Sequence, residues 1–345
     1  MPSTETIDVA TLTRLAVDAF RHSGLSSEQA ETSSRILVEA DMMGLTTHGA
    51  VRIPAYTERL RRGGIDANAQ PSVHRKAPSL AQVDGHNGLG PVVGSRALEV
   101  AMEMVAETGL AYVGCKNSNH FGALAPYALT ACDAGYLLMA GTNASTTMAP
   151  WGGNQTRMGN NPLCIAAPCA DGIHFILDMA MSVAARGKVR AAHAAGTAIP
   201  EGWAVDSAGL PTTDAGEALK GFLLPFGGYK GSGLALAVDI LSGVLSGARF
   251  LSDVSSWSDN PDAPSGLGHF FVLLDPGRML GREAFASAME RFKTIVLSTP
   301  AVSATAPVML PGQLEQARRR AAVDNGVELP GELITKIKRL ARGES

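Results

Sequence analysis

The chain predicts an α/β architecture of about two domains, and three observations carry that expectation. Its 345 residues exceed what one typical hydrophobic core needs. From about residue 80 onward, short apolar stretches of strand length alternate with stretches of helical period. Hydrophobic residues make up 46% and charged residues 18%, a balance that folds rather than stays disordered, and 38 glycines suit many tight turns.

The elements follow in order. Asp8 reads as the cap of a first helix to about Phe20, with Leu12, Leu15, Ala16 and Phe20 on one stripe. Ser26 and Gln29 form a capping-box pattern that opens a second helix, stopped by Gly44. A third runs from Pro54 to Arg62 and ends at Gly63-Gly64. Residues 66–78 are polar with Pro71 and Pro78, and read as a domain boundary. Strands are expected over 80–83, 111–115, 137–141, 163–167, 173–177 and 270–274, and helices over 94–107, 123–134, 231–245 and 281–292. Residues 208–221 read as a loop, and a polar tail after Pro300 carries helices over 313–322 and 331–341.

Charge and cysteine usage exclude several function classes. Lys plus Arg is 29 against 32 Asp plus Glu, a net charge of −3, so no basic surplus exists for nucleic acid. Cys115, Cys132, Cys164 and Cys169 form no CxxC pair, and the histidines show no HExxH spacing, so no metal site is expected. The cysteines read as reduced thiols of a cytoplasmic protein. Residues 1–8 have neither a basic nor an apolar leader character, and 231–251 is too polar and glycine-rich for a bilayer span, so no membrane partner is expected.

Several segments carry possible chemistry. Gly85-His86-Asn87-Gly88-Leu89-Gly90 lies between a strand and a helix, but its spacing onward to Gly94 is not GxGxxG. No carboxylate follows in residues 110–119 to hold a ribose, so a glycine turn is the plainer reading. In Thr47-His48-Gly49-Ala50-Val51-Arg52, a histidine and an arginine four apart share a face if helical, or converge if this is a tight turn before Pro54. Arginine offers a planar fork to a carboxylate, histidine exchanges a proton near neutral pH, and Thr47 has a hydroxyl to hold the imidazole. A surface pair without shared role is the alternative. Asn117 to Gly122, with His120, sits where a strand ends and a helix begins, a place where ligands collect. Two glycine-flanked loops, Trp151-Gly152-Gly153 with Gly159-Asn160-Asn161-Pro162, and Phe226 to Gly231, allow close backbone approach, with Lys230 near a helix start.

Taken together, these segments resemble the type-2 malate/L-lactate dehydrogenase family, which includes ureidoglycolate, sulfolactate and diketogulonate oxidoreductases and cyclic imino-acid reductases. The resemblance rests on Thr47-His48-Gly49 with Arg52, on 117–122, 150–153 and 159–162, and on Asp178-Met179-Ala180. It continues through Ala185-Arg186-Gly187-Lys188, 199–203, 211–214, 227–231 and Leu310-Pro311-Gly312, in the family's order across nearly the whole chain.

That resemblance implies an NAD(P)-dependent oxidoreductase moving hydride to or from C2 of a small 2-hydroxy or 2-oxo acid. It implies NAD or NADP as cofactor, a homodimer, and a non-Rossmann NAD(P)-binding domain over 76–299 with a mixed, largely antiparallel sheet. Both chain ends, 1–75 and 300–345, would form a helical domain. His48, helped by Thr47, would exchange the proton, and Arg52 would hold the carboxylate with Asn160 in the pocket lining. His120 would serve both catalysis and cofactor, and Phe121, Gly122, Asp178, Met179, Ala180 and Lys230 would contact the cofactor.

Departures bear on the substrate. Thr47 stands where many relatives have Ser, Asn160 where Thr is common, and Tyr229 where some have His. The imino-acid branch has an Asp in the segment matching 185–188 that this chain lacks, which favours an oxo or hydroxy acid. Residues 301–306 are small and mostly apolar where relatives are often charged, which leaves the adenosine end open. Reduction of cyclic or N-substituted imino acids stays as an alternative, and a catalytically silent ligand-binding relative as another. Retention of Thr47, His48, Arg52, His120 and Lys230 speaks against the silent one.

Overall fold

The structure is a computed structural model describing residues 4–303 and 305–344. Position 304, within the small apolar stretch noted above, lies outside the described residues, as do positions 1–3 and 345.

The chain opens with β1 (Thr4–Ile7), α1 (Val9–His22), α2 (Ser27–Met42) and α3 (Ile53–Arg61). The caps are those the sequence predicts. Asp8 accepts from the Thr11 N–H, and Ser26 and Gln29 exchange both capping-box bonds. Gly44, at φ +78°, ends α2.

Next come β2 (Ser72–Ala77), β3 (Leu80–Asp84), α4 (Gly90–Thr108), β4 (Leu110–Ser118), α5 (Ala125–Asp133), β5 (Leu137–Thr142), β6 (Leu163–Ala167) and β7 (Phe175–Met179). A smaller lobe follows: α6 (Arg186–Ala194), β8 (Ala204–Val205), β9 (Pro211–Thr212), α7 (Ala215–Lys220), β10 (Phe222–Leu223) and α8 (Tyr229–Asp239), which continues into a π-helical turn, Ile240–Val244. The chain then returns through β11 (Leu267–Leu274), α9 (Pro276–Leu280) and α10 (Arg282–Leu297), and finishes with α11 (Gln313–Asn325), β12 (Val327–Pro330) and α12 (Gly331–Leu340).

The central sheet runs β2-β3-β4-β11-β5-β6-β7. Only β3 and β4, the strands joined through α4, pair in parallel; the other neighbours are antiparallel. β11 slots between β4 and β5 and is buried on both faces, which explains its unbroken apolar run Phe270 to Leu274. One face of the sheet is covered by α4, α5, Ile36 of α2 and Met43 just beyond its end. On the other, Phe270 packs with Met148, Met158, Met181 and the α8 residues Ala235 and Val238. Gly114 permits the close fit of the turn that follows α8, because a Cβ there would stand 2.4 Å from Ser246 Oγ.

The two chain ends meet. β1 pairs antiparallel with β12, Thr4 opposite Pro330 and Ile7 opposite Val327, and Ile334, Ile337 and Leu340 of α12 share a core with Leu12 and Phe20 of α1.

Some expectations need correction. The segment read as a boundary contains β2, the edge strand of the main sheet; its Ser-Val-His-Arg-Lys pattern is polar because an edge strand faces water. The segment read as a loop contains β9 and α7, the latter capped by Asp214, whose carboxylate accepts from the Glu217 N–H. β7 starts two residues later than expected, so Asp178 and Met179 end a strand. Among the described residues, no helix is long and apolar enough to cross a membrane.

Candidate active site

The segment from Leu45 to Arg52 is a turn closed by one 3-10 turn at Ala50–Arg52, so the tight-turn alternative holds and the helical one does not. Asp41, from the last turn of α2, anchors it: its Oδ2 accepts from the Ala50 N–H at 2.6 Å. A Cβ at Gly49 would lie 2.0 Å from Asp41 Oδ1, so only glycine lets the turn close on this carboxylate. The other Asp41 oxygen has no hydrogen-bond partner, and burial pushes the carboxyl up to about 7.

The turn brings the candidate side chains together. Thr47 Oγ1 lies 2.8 Å from His48 Nδ1, and Arg52 Nε donates to the Thr47 carbonyl at 2.7 Å. Nε is thereby engaged, and the two terminal amino groups of Arg52 are the ones able to fork onto a carboxylate. Burial and the neighbouring Arg52 charge lower the His48 imidazole to about 4, so it is neutral at physiological pH.

The second half of the site comes from the loop after β4. Asn119 Nδ2 donates to the carbonyls of Gly88 at 2.9 Å and Asn87 at 3.2 Å, and a Cβ at Gly90 would lie 2.3 Å from the carbonyl oxygens of Asn119 and His120. The Gly85–Gly90 cluster therefore seats the 117–120 backbone, which is the glycine-turn reading. His120 is half-buried, and its Nδ1 receives the Gly122 N–H at 3.4 Å. An amide can only donate, so Nδ1 is an acceptor, Tyr56 Oη donates to it at 2.5 Å, and the neutral ring carries its hydrogen on Nε2. Burial, then Arg52 and His48, hold His120 well below the usual histidine range.

The rings of His48 and His120 stack with centroids 5.5 Å apart. Trp257 lies 5.6 Å from His120, and the Arg52 guanidinium sits 5.2 Å from the indole centroid. Phe121 turns inward: its ring stacks at 3.9 Å on His269, which is clamped between Thr142 Oγ1 and Ser118 Oγ, each at 2.7 Å. Any ligand contact by Phe121 is therefore through its main chain.

The remaining candidates line an adjoining region. Asp178 Oδ2 accepts the N–H groups of Leu124 at 3.0 Å and Ala125 at 2.9 Å, at the start of α5, and burial raises its carboxyl to about 6. Asp178 also lines a cleft of about 400 Å³ with Leu45, Ala125, Leu310, Gly312 and Glu315. Leu45 belongs to the same turn as His48, whose N–H donates to the Leu45 carbonyl at 2.9 Å, although neither histidine nor Arg52 itself lines the cleft. Beyond Met179 and Ala180, the Met181 N–H donates to the Asn160 carbonyl at 2.7 Å and the Phe226 N–H to the Met181 carbonyl at 3.0 Å. Asn160, the 178–181 stretch and the loop leading to Lys230 thus form one loop cluster. Lys230 is exposed in the first turn of α8.

The structure adds Asp41, Tyr56 and Trp257, which sequence reasoning missed. Tyr56 stands one helical turn after Arg52, a signal that was available. Trp257 comes from a distant loop and had none. Among the described residues, no group of three or more His, Cys, Asp or Glu side chains comes together to hold a metal ion.

Comparison with known proteins bears on this geometry. The profile of the malate/L-lactate dehydrogenase family matches residues 7–338. The chain is 35% identical to the L-sulfolactate dehydrogenase of Methanocaldococcus jannaschii over 95% of this chain and 94% of that one. It is 34% identical to the (2R)-3-sulfolactate dehydrogenase (NADP(+)) of Chromohalobacter salexigens over 95% of each. It is 33% identical to the ureidoglycolate dehydrogenase (NAD(+)) of Escherichia coli K12 over 94% of this chain and 92% of that one. The solved sulfolactate dehydrogenase from M. jannaschii superposes with a TM-score of 0.91 at 32% identity, covering 98% and 97% of the two chains. The Δ1-piperideine-2-carboxylate reductase of Pseudomonas syringae superposes at 0.89 and 29% identity, covering 97% and 99%. With this match along nearly its whole length, the chain belongs to the malate/L-lactate dehydrogenase family.

Proposed function

We propose that this chain is an NAD(P)-dependent oxidoreductase that transfers hydride between the nicotinamide ring and C2 of a small 2-hydroxy or 2-oxo acid. The observation that carries the reading is the cluster itself: a guanidinium beside two stacked neutral histidines, with the turn that bears His48 and Arg52 also giving Leu45 to the Asp178 cleft.

The residues present fit a nicotinamide nucleotide. The cleft pairs apolar walls, Leu45 and Leu310, with two carboxylates, Asp178 and Glu315, that would accept from ribose hydroxyls. The cofactor, NAD or NADP, supplies the hydride chemistry when bound. The chain's main-chain groups at His120, Phe121 and Gly122, with Asp178, Met179, Ala180 and Lys230, would hold it.

The protein's own part is orientation and proton transfer. Arg52 grips the substrate carboxylate and so places C2 beside the histidines. In the oxidative direction, neutral His48 takes the proton from the C2 hydroxyl, with Thr47 fixing its ring. In the reductive direction, a protonated His48 would deliver its proton to the C2 oxygen; burial is the larger of the two effects that depress this ring, and a docked carboxylate offsets the smaller one, the Arg52 charge. The Nε2 hydrogen of His120 is available to that oxygen as charge builds on it. Asn160 contributes a polar contact to the pocket. We further propose that the two chain ends form one helical domain and the segment between them, from β2 onward, the non-Rossmann NAD(P)-binding domain, in a cytoplasmic homodimer.

The test is nicotinamide oxidation, followed by absorbance with NADH and NADPH separately, against pyruvate, oxaloacetate and a bulkier 2-oxo acid, each with and without methylamine. Turnover without amine supports the proposal and names the cofactor. Turnover only with amine transfers the assignment to imino-acid reduction, and none with any pair overturns the proposal.

A further inference from the structure

We propose that Trp257 is a specificity-determining wall of the substrate site, limiting it to 2-oxo and 2-hydroxy acids with short side chains. This inference rests on the carboxylate-binding reading of Arg52 given above.

The indole is carried by a loop tied firmly to the body of the protein. Residues 255–265 leave and rejoin the body at one point, where the Ser255 N–H donates to the Ser265 carbonyl at 3.2 Å. Arg59 of α3, only 2% exposed, pins this loop from below. It donates to Ser265 Oγ at 2.9 Å and to the carbonyls of Ala263 at 2.7 Å and Pro261 at 3.4 Å. Just past the end of the same helix, Arg62 forks onto Asp262, with Nη2 to Oδ2 at 2.7 Å. A buried arginine spent on loop carbonyls is an expensive anchor, and it holds the loop that carries Trp257 against the helix that carries Tyr56.

The indole then meets two groups of the site and no others among its ring contacts: Arg52 at 5.2 Å and His120 at 5.6 Å. His48 and Tyr56 flank His120 at 5.5 Å and 5.9 Å. An acid whose carboxylate sits on Arg52 and whose C2 oxygen meets the histidines must lie alongside the indole, so its C3 substituent has to share that space. A rigid aromatic plane there admits a methyl or a short chain and excludes a ring. The same plane lies against the guanidinium and restricts its rotation, which presents the fork in one orientation.

The experiment compares wild type, Trp257→Ala and Trp257→Phe in steady-state reduction of pyruvate and phenylpyruvate, with the preferred nicotinamide cofactor. In Trp257→Ala, kcat/KM for phenylpyruvate relative to pyruvate should rise about tenfold or more, with KM for pyruvate rising more than kcat falls. Trp257→Phe, which keeps an aromatic plane, should hold the wild-type ratio. If Trp257→Ala melts far below wild type, Trp257→Leu takes its place with the same expectation. An unchanged ratio in an active enzyme overturns the wall and leaves the dehydrogenase reading standing. A wild type that reduces oxaloacetate but not pyruvate is compared on oxaloacetate and phenylpyruvate with the same expectation, and one inert toward all three acids overturns that reading, and the wall with it.

Discussion

His48 owes its state to its neighbours. An exposed imidazole is half-protonated near pH 6.5, whereas this one, buried beside Arg52, is lowered to about 4. The free enzyme therefore presents a base at neutral pH. For oxidation of a hydroxy acid, kcat/KM should stay level from pH 8 to pH 6 and fall only on approach to pH 4; a fall centred near 6.5 would remove His48 from this role. His48→Ala should lower turnover by about 10²–10⁴-fold while cofactor binding, read by fluorescence titration with NADH or NADPH, stays nearly intact. Arg52→Ala should act differently. It should raise KM for carboxylate substrates about tenfold to a hundredfold, since a charge-assisted contact is lost. An unchanged KM would show that the carboxylate binds elsewhere.

At the scale of elements, the site depends on the junction of α2 and α3. Asp41 ends one helix and ties down the turn that begins the next, and the absence of a side chain at Gly49 lets the two meet. The energetics leave a pH signature. An unfolded aspartate titrates near 3.8, and the folded Asp41 carboxyl is raised to about 7. The folded state thus favours the protonated form, so this group's contribution to stability is full below about pH 3.8 and is lost as pH rises through 7. Asp41→Asn removes the titration. Its melting temperature relative to wild type should therefore climb between pH 5 and pH 8, and a difference independent of pH would contradict the assignment. The capping signals that set these helices were legible in the sequence, because Asp8, Ser26 and Gln29 act within one turn of themselves. The Asp41 bond was not, since it spans a change of chain direction.

For the whole molecule, the long-range pairing that matters most joins the two ends. β1 and β12 share a ladder, and α12 buries Ile334, Ile337 and Leu340 among residues of the first helices. Ile337 is fully buried, and Ile337→Ala should cost about 2–5 kcal/mol in urea denaturation although it lies far from the candidate site. The β11 strand makes the same point inside the sheet. It pairs with β4 on one side and β5 on the other, and its His269 joins the ends of both neighbours by bonding Ser118 and Thr142. The backbone that presents His120 is therefore braced by a residue far along the chain.

The sequence by itself determined the α/β class, most helix starts and stops, six strand positions, and the residues around which the family resemblance gathers. Those features are local: caps, periods and short motifs act over one or two turns, and their physics is written in adjacent residues. Tertiary structure decided the rest. It turned polar Ser72–Ala77 into an edge strand, made the glycine cluster at 85–90 a seat for the His120 loop, and sent the Phe121 ring into the core. It also brought Tyr56 and Trp257 to His120. Each of these rests on contacts between segments distant in the chain, whose closeness is set by how apolar faces pack and which buried polar groups must find partners, and no local pattern encodes that pairing.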